Sequence, residues 1–291
     1  MASPREAVER LDDSAPGEVL PLLNALIERS PAMAEKALSL RPFSTPAGLF
    51  RAIVRAMEAS SPEERLALIR AHPDLAGAEA AAGTLTAASA SEQSRLGLDR
   101  LTGPELARLD ELKGRYRQRF GFPCIIALRR HASRESVLAA FEQRLGGDQD
   151  AEVGNALGEI ADIVRGRISR HFGMTGWLST HVLDTRDGVP GAGMAVELKA
   201  MCDSGWAALK ATRTNSSGRT DEPLLNDIDM LPGAYRLEFD VAGYFRSRGV
   251  ALADPPFLAT IPIEFAIADA AAHYHVPLLV SPWSFSTYRG S

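Results

Sequence analysis

The hydrophobic period of the chain changes once, near residue 170, and that change limits the architecture more than any other feature. Upstream, apolar residues recur at helical spacing. Ser61-Pro62-Glu63-Glu64 and Thr102-Gly103-Pro104-Glu105 are capping boxes with proline early in the helix. The first opens a helix through Leu66, Leu68 and Ile69 that must stop near Pro73. The second precedes the stripe Leu106, Leu109, Leu112, Tyr116, with Gly121 as the stop. Ser133 opens a helix through Val137, Leu138, Phe141 and Leu145, closed by Gly146-Gly147. Val153, Leu157, Ile160, Ile163, Val164 and Ile168 make another apolar face. Segments 19–27 and 49–57 behave alike, and the Ala-rich stretch 76–90 reads as holding a loop between two helices. At least six helices and no strand are expected in this half.

Downstream of Gly173 the period is two. Trp177, Ser179, His181 and Leu183 fall on one face of a strand, and Leu178, Thr180 and Val182 on the other. Tyr235, Leu237, Phe239 and Val241 alternate with charged residues, and Ile261, Ile263, Phe265 and Ile267 repeat the pattern. Asp187-Gly188, Ser217-Gly218 and Pro232-Gly233 separate these runs as turns. Short strands at this spacing predict a β-sandwich. The expected organisation is an all-α domain over 1–170 and an all-β domain over 171–291.

With 45% hydrophobic residues among 291, disorder is excluded as the main state. The net charge of -5 speaks against a nucleic-acid partner, so any anionic ligand must be met by a local cluster. Cys124 and Cys202 are too few for a disulfide framework, which favours a reducing compartment. No apolar run is long enough for a membrane span, the polar start is unlike a signal peptide, and cytoplasm is expected.

Chemistry in the β half gathers in three places: Leu178-Ser179-Thr180-His181-Val182-Leu183-Asp184, Arg219 after a Ser-Ser-Gly turn, and His273-Tyr274-His275 with the terminal Ser286-Thr287-Tyr288-Arg289-Gly290-Ser291. His273 and His275 share a strand face. Histidine takes a proton from water near neutral pH, and arginine offers a planar cationic fork for an oxyanion. A lone strand histidine is otherwise a packing residue. A zinc site of His181, His273 and His275 lacks the usual metal-ligand spacing, and no metal is expected. LSTHVLD, the Gly-Arg of TNSSGR, HYHVPLL and STYRGS resemble 5-hydroxyisourate hydrolase, a transthyretin-like family of urate breakdown, from Thr175 to the chain end. The resemblance implies a sandwich that assembles as a tetramer through the β domains. It implies that His181 and His275 activate water and that Arg219 binds substrate. Ser291, with Tyr288, Arg289 and Gly290, closes the site, and His273 has a lesser part. Ser217 stands where the family usually has aspartate.

In the helical half the notable string is Ala71-His72-Pro73-Asp74-Leu75-Ala76-Gly77. Alone, it is explained by a histidine meeting the helix dipole and a proline stop. Ser89 with Glu92-Gln93 reads equally as a solvated helix face, Arg165 and Arg167 as surface arginines, and Phe120-Gly121-Phe122-Pro123 as a turn. In this order, AHPDLAG, SxxEQ, YxxxFGFP and EIxxIxxxR resemble decarboxylases of OHCU (2-oxo-4-hydroxy-4-carboxy-5-ureidoimidazoline) over roughly residues 18–168. That family is all-α and cofactor-free and yields S-allantoin. The resemblance implies His72 as the main catalytic residue. It places Ser89, Glu92 and Gln93 on the substrate, Arg167 or its rival Arg165 as the binding arginine, and Pro73, Phe122, Ile125 and Ile126 around it. Lys113 and Cys124 depart from the family pattern, and Cys124 reads as packing.

The two resemblances together imply an all-α helical bundle followed by an all-β transthyretin-like sandwich. They imply a bifunctional hydrolase and carboxy-lyase acting on 5-hydroxyisourate and OHCU, without cofactor and as a homo-oligomer. The competing expectation makes the β domain a small-ligand carrier and the helical domain an oligomerisation scaffold.

Overall fold

The computed structural model describes residues 3–290. Its contacts separate into two units, one ending at Phe172 and the other starting at Gly173. The first holds α1 (Pro4–Asp13), α2 (Pro16–Leu26), α3 (Pro31–Leu38), α4 (Pro46–Glu58), α5 (Pro62–Ala71), α6 (Ala78–Ala81), α7 (Ala87–Arg95), α8 (Gly103–Phe120), α9 (Arg134–Leu145) and α10 (Gln149–His171). Each of α1 to α5 begins on a proline, whose missing N–H costs nothing there. The capping boxes at Ser61–Glu64 and Thr102–Glu105 are present, and Gly121 ends α8 in the left-handed conformation at φ 77°. A third box, Ser3–Glu6, opens α1, a helix not foreseen from periodicity; α3 was not foreseen either. The Ala-rich stretch holds the one-turn helix α6 besides a loop.

α10 packs against α2, α4 and α5 through Ala156, Ile160, Val164 and Ile168, all fully buried. On α8, Leu109, Leu112 and Tyr116 are buried but Leu106 is 39% exposed. At 100° per residue Leu106 lies about 80° around the helix from Tyr116, in the first turn, so it misses the core.

The second unit contains β1 (Trp177–Ser179), β2 (Val182–Asp184), β3 (Val189–Pro190), β4 (Ala195–Cys202), β5 (Gly205–Arg213), β6 (Leu225–Asn226), β7 (Gly233–Asp240), α11 (Val241–Ser247), β8 (Thr260–Ile267), β9 (His273–His275), β10 (Leu278–Val280) and β11 (Phe285–Ser286). They form sheets of order β5-β4-β7-β8, β11-β10-β2-β3 and β6-β1-β9. β7 and β8 pair Leu237 with Ile263 and Phe239 with Ile261, all buried.

Two strand expectations need correction. The run 177–183 is two strands, not one. β1 pairs in parallel with β9, and β2 with β10. Val276 and Leu278 still donate to the Ser179 and His181 carbonyls between the two pairings, and Pro277, whose N faces the other side, is tolerated there. Where the strands part, the Val276 carbonyl accepts from the Thr180 hydroxyl at 2.7 Å. Val241 does not continue β7 but starts α11. Asp240 caps that helix by accepting from the Gly243 N–H at 2.9 Å. Among the described residues no helix is long and apolar enough to cross a membrane.

Candidate active sites

In the helical unit the site starts where α5 stops. His72 precedes Pro73 and turns extended, with ψ 137°, at the C-cap. It is 5% exposed. Its Nδ1 lies 3.0 Å from the Leu68 carbonyl, which only accepts, so Nδ1 carries the proton. Nε2 is therefore a lone pair, and it is buried with no partner among the described residues. Burial pushes the imidazole below the usual histidine range, with Arg167 in the same direction, against the Leu68 carbonyl and the charges of Glu28 and Glu92. His72 is a neutral base.

A cleft with about 400 Å³ of empty space, part of it open solvent, is lined by His72, Pro73, Ser89, Glu92, Gln93, Ile125, Ile126 and Arg167. Leu75, Cys124, Leu128 and Ile163 complete it. Gln93 secures the loop after His72: its Oε1 accepts from the Ala76 N–H at 2.8 Å and its Nε2 reaches the Asp74 carbonyl at 3.4 Å. Lys113 holds the same loop from α8, donating to the Leu75 and Ala76 carbonyls at 3.2 and 3.3 Å. The departure at Lys113 thus supports the loop. Burial pushes the Cys124 thiol up to about 12, so it stays protonated and packs.

Arg167 is the best-connected side chain in the cleft. Its Nε and Nη2 donate to Glu92 at 3.1 and 3.0 Å, and Nη2 also to the Ser89 hydroxyl at 3.0 Å. Nη1 meets the Ala25 and Leu26 carbonyls at 3.3 and 3.4 Å and the Glu28 carboxylate at 2.7 Å. Burial draws the guanidinium's pKa down, and Glu92 and Glu28 more than offset it. Arg165 is not in the cleft; its guanidinium lies 5.9 Å from the Phe50 ring centre. Phe122 is not a lining residue either. It is 1% exposed and packs edge-on against Tyr116 at 6.0 Å.

Sequence reasoning missed Glu28. It is 0% exposed and sits in left-handed backbone at φ 59°. It accepts from Thr86 at 2.9 Å and Ser89 at 2.9 Å besides pairing with Arg167. Burial alone would raise its carboxyl, but Arg167 and the two hydroxyls outweigh that and hold it below the usual range. In sequence it is a Glu-Arg pair ending a helix, which looks like surface.

In the β unit, His181 Nε2 lies 3.0 Å from the Ser217 carbonyl, so Nε2 donates and Nδ1 keeps the lone pair. Asn215 holds the turn: its Oδ1 accepts from the backbone N–H groups of Ser217 and Arg219 at 3.0 and 3.2 Å and from the Ser217 hydroxyl at 2.7 Å. Serine in place of aspartate therefore leaves the turn closed. Gly218, at φ 76°, is needed there: a Cβ would lie 2.4 Å from the Val182 carbonyl oxygen and 3.2 Å from the His181 ring. Arg219 pairs by a backbone bridge with His181. Burial lowers the pKa of both His181 and His275, with the Arg219 charge next in each, so one cation acts on both rings.

Ser179, also missed as a site residue, joins the other two histidines. Its hydroxyl is 2.9 Å from His273 Nε2 and 2.9 Å from His275 Nδ1. Trp177 stacks on His273 at 4.3 Å. The period of two put Ser179 on the right face but did not mark it as a bridge. Gly290 donates to the His275 carbonyl at 2.9 Å, which brings the chain end to this ring. Arg289 turns to the Tyr274 ring at 4.7 Å, and Tyr288 is exposed. Ser291 lies outside the described residues, and its expected part in closing the site stays an expectation. Among those residues no three His, Cys, Asp or Glu side chains are grouped as metal ligands.

Residues 13–169 match the family model described as OHCU decarboxylase, and residues 178–290 that of the HIUase/Transthyretin family. A 5-hydroxyisourate hydrolase of Ralstonia nicotianae is 51% identical over 116 residues, covering 40% of this chain and 99% of that protein. The 5-hydroxyisourate hydrolase of Mus musculus is 40% identical over 117 residues, covering 39% and 94%. A crystal structure of (S)-allantoin synthase is 33% identical, covering 98% of this chain and 99% of that chain, with a TM-score of 0.49.

Proposed function

Since the chain belongs to the OHCU decarboxylase family in its helical half and to the 5-hydroxyisourate hydrolase family in its β half, we propose that it runs two successive steps of urate breakdown. The hydrolase domain, the unit that starts at Gly173, opens 5-hydroxyisourate to OHCU with one water. The decarboxylase domain, 1–170, converts OHCU to S-allantoin and carbon dioxide. Neither step as written draws on a cofactor.

In decarboxylation the electron pair left by carbon dioxide passes into the imidazolinone carbonyl and ring nitrogens, and a proton then returns to carbon. His72 is the group for that proton traffic, because its Nε2 is a buried acceptor with no partner among the described residues. This orphaned nitrogen, facing a cleft shared with Glu92 and Arg167, carries the reading. Arg167 holds substrate oxygens as the donor, and Ser89 and Glu92 accept from substrate N–H or O–H groups, which fixes one orientation and makes the product one enantiomer. In hydrolysis, water attacks the ring carbonyl while His181 Nδ1 or His275 takes its proton. Arg219 stabilises the oxyanion, and the segment Tyr288-Arg289-Gly290 closes the site over the substrate. Trp283, Phe285 and Tyr288 are exposed at 63%, 46% and 56%, a cost in water that supports assembly of the β domains into a tetramer. Both cysteines are free, in keeping with the cytoplasm. The carrier reading has no observation in its favour, and relatives 40% to 51% identical are named as hydrolases.

Freshly made 5-hydroxyisourate, followed by ultraviolet absorbance and circular dichroism, separates the steps. His72→Ala should abolish the enantiomeric excess of allantoin yet leave 5-hydroxyisourate loss fast. His181→Ala should slow that loss by about a hundredfold. Wild-type behaviour of both variants would remove the assignment.

A further inference from the structure

We propose that Glu28 is a positioning residue for decarboxylation: it fixes Arg167 and the Ser89 hydroxyl from behind the cleft, so that Glu92 alone is the carboxylate that yields to substrate. The inference rests on the decarboxylase reading above. Two carboxylates share Arg167, but their surroundings differ. The Glu28 side chain is 0% exposed and the Glu92 side chain 18%. Glu28 grips the inner edge, Nη1, where the Ala25 and Leu26 carbonyls also sit. Glu92 takes the outer edge, Nε and Nη2, and lines the cleft, which Glu28 does not.

Proton counting separates them further. An ionised carboxylate only accepts and a guanidinium only donates. Ser89 therefore gives its one proton to Glu28 and accepts from Arg167. What it offers the cleft is a lone pair, suited to an N–H or O–H of the substrate. Thr86 ties Glu28 from the cap of α7, the helix that carries Ser89, Glu92 and Gln93. Glu28 thus joins α7 to Arg167 on α10 through one buried group.

Glu92 has somewhere to go. Its Oε1 already accepts from Arg170, whose side chain is 45% exposed. A substrate oxygen arriving at the outer edge of Arg167 displaces Glu92 toward Arg170, while Glu28 keeps the guanidinium in place. The left-handed backbone at Glu28, φ 59°, aims the carboxylate inward and is held by these bonds.

The test is a double-mutant cycle in the full chain on OHCU decarboxylation, at a temperature well below each variant's helical melting point. Glu28→Gln should lower kcat about a hundredfold, the scale of a small misplacement in the site. KM should fall about threefold, because one negative charge near an anionic substrate is gone. A merely structural role would not tighten binding. In an Arg167→Met background the same Glu28→Gln change should move kcat by less than about threefold. Wild-type kcat in Glu28→Gln, a raised KM, or an undiminished loss in the Arg167→Met background overturns the proposal. If Glu28→Gln gives no helical melt, Glu28→Asp carries the test, since it keeps the charge and withdraws it by one methylene. Its kcat should drop about tenfold, and wild-type kcat overturns the proposal. Racemic product from the wild-type chain instead removes the decarboxylase reading beneath it.

Discussion

At the residue scale, His72 links stability to the proposed chemistry through one proton. Buried and neutral in the folded chain, it has a pKa below its unfolded value near 6.5. Above that value both states leave it neutral and it contributes nothing to pH dependence. Below it the unfolded chain takes up a proton that the fold resists, so stability falls as pH drops through about 6.5. The helical melting temperature should decline over this range in the wild type and decline less in His72→Gln. His72 was legible because AHPDLAG is a motif as well as a helix end. Glu28 was not: burial of a carboxylate depends on three partners far away in sequence, Thr86, Ser89 and Arg167. The choice between Arg165 and Arg167 was likewise a matter of helix facing, which a two-residue slip reverses.

At the element scale, the sites depend on where regular structure fails. α5 ends at Pro73, and the β1–β9 and β2–β10 pairings part at Pro277. Both prolines stood in the sequence, but only the first was read as a break. Strand alternation separated the two faces of 177–183, of which Leu178, Thr180 and Val182 prove buried, without revealing that the run is two strands. α11 was hidden because its cap, Asp240 with Gly243, follows a strand without a turn signal. The chain-end bridge offers a test. A Cβ at Gly290 would lie 2.7 Å from Cδ2 of His275. Gly290→Ala must displace the ring or the chain end, and 5-hydroxyisourate hydrolysis should fall about a hundredfold. His275 ring resonances in NMR should shift with it. Unchanged hydrolysis would remove the chain end from the site.

For the whole molecule, the acidic balance of -5 has to coexist with two anionic substrates. Each unit meets the sign locally. Arg167 is tied into a balanced ion cluster, and Arg219 is exposed beside two histidines. Joining both catalysts in one chain puts the site that releases the intermediate on the same molecule as the site that consumes it. A mixture of His72→Ala and His181→Ala chains keeps one working copy of each site but separates them. At low protein concentration it should give allantoin of lower enantiomeric excess than an equal number of wild-type sites. The deficit should close as the mixture is concentrated. Equal excess at every dilution would mean that fusion gives no advantage to the intermediate.

The stacking of Trp177 on His273 has a consequence for spectroscopy. Trp177, Trp206 and Trp283 are the three tryptophans of the chain, and all follow Gly173. Indole emission therefore reports on the sandwich alone, while the helical unit is silent at that wavelength. With Trp177 4.3 Å from an imidazole, part of that emission should respond to what happens at His273. The protein carries its own fluorophore beside one catalyst and none in the other, so ligand binding at the hydrolase can be watched without a label.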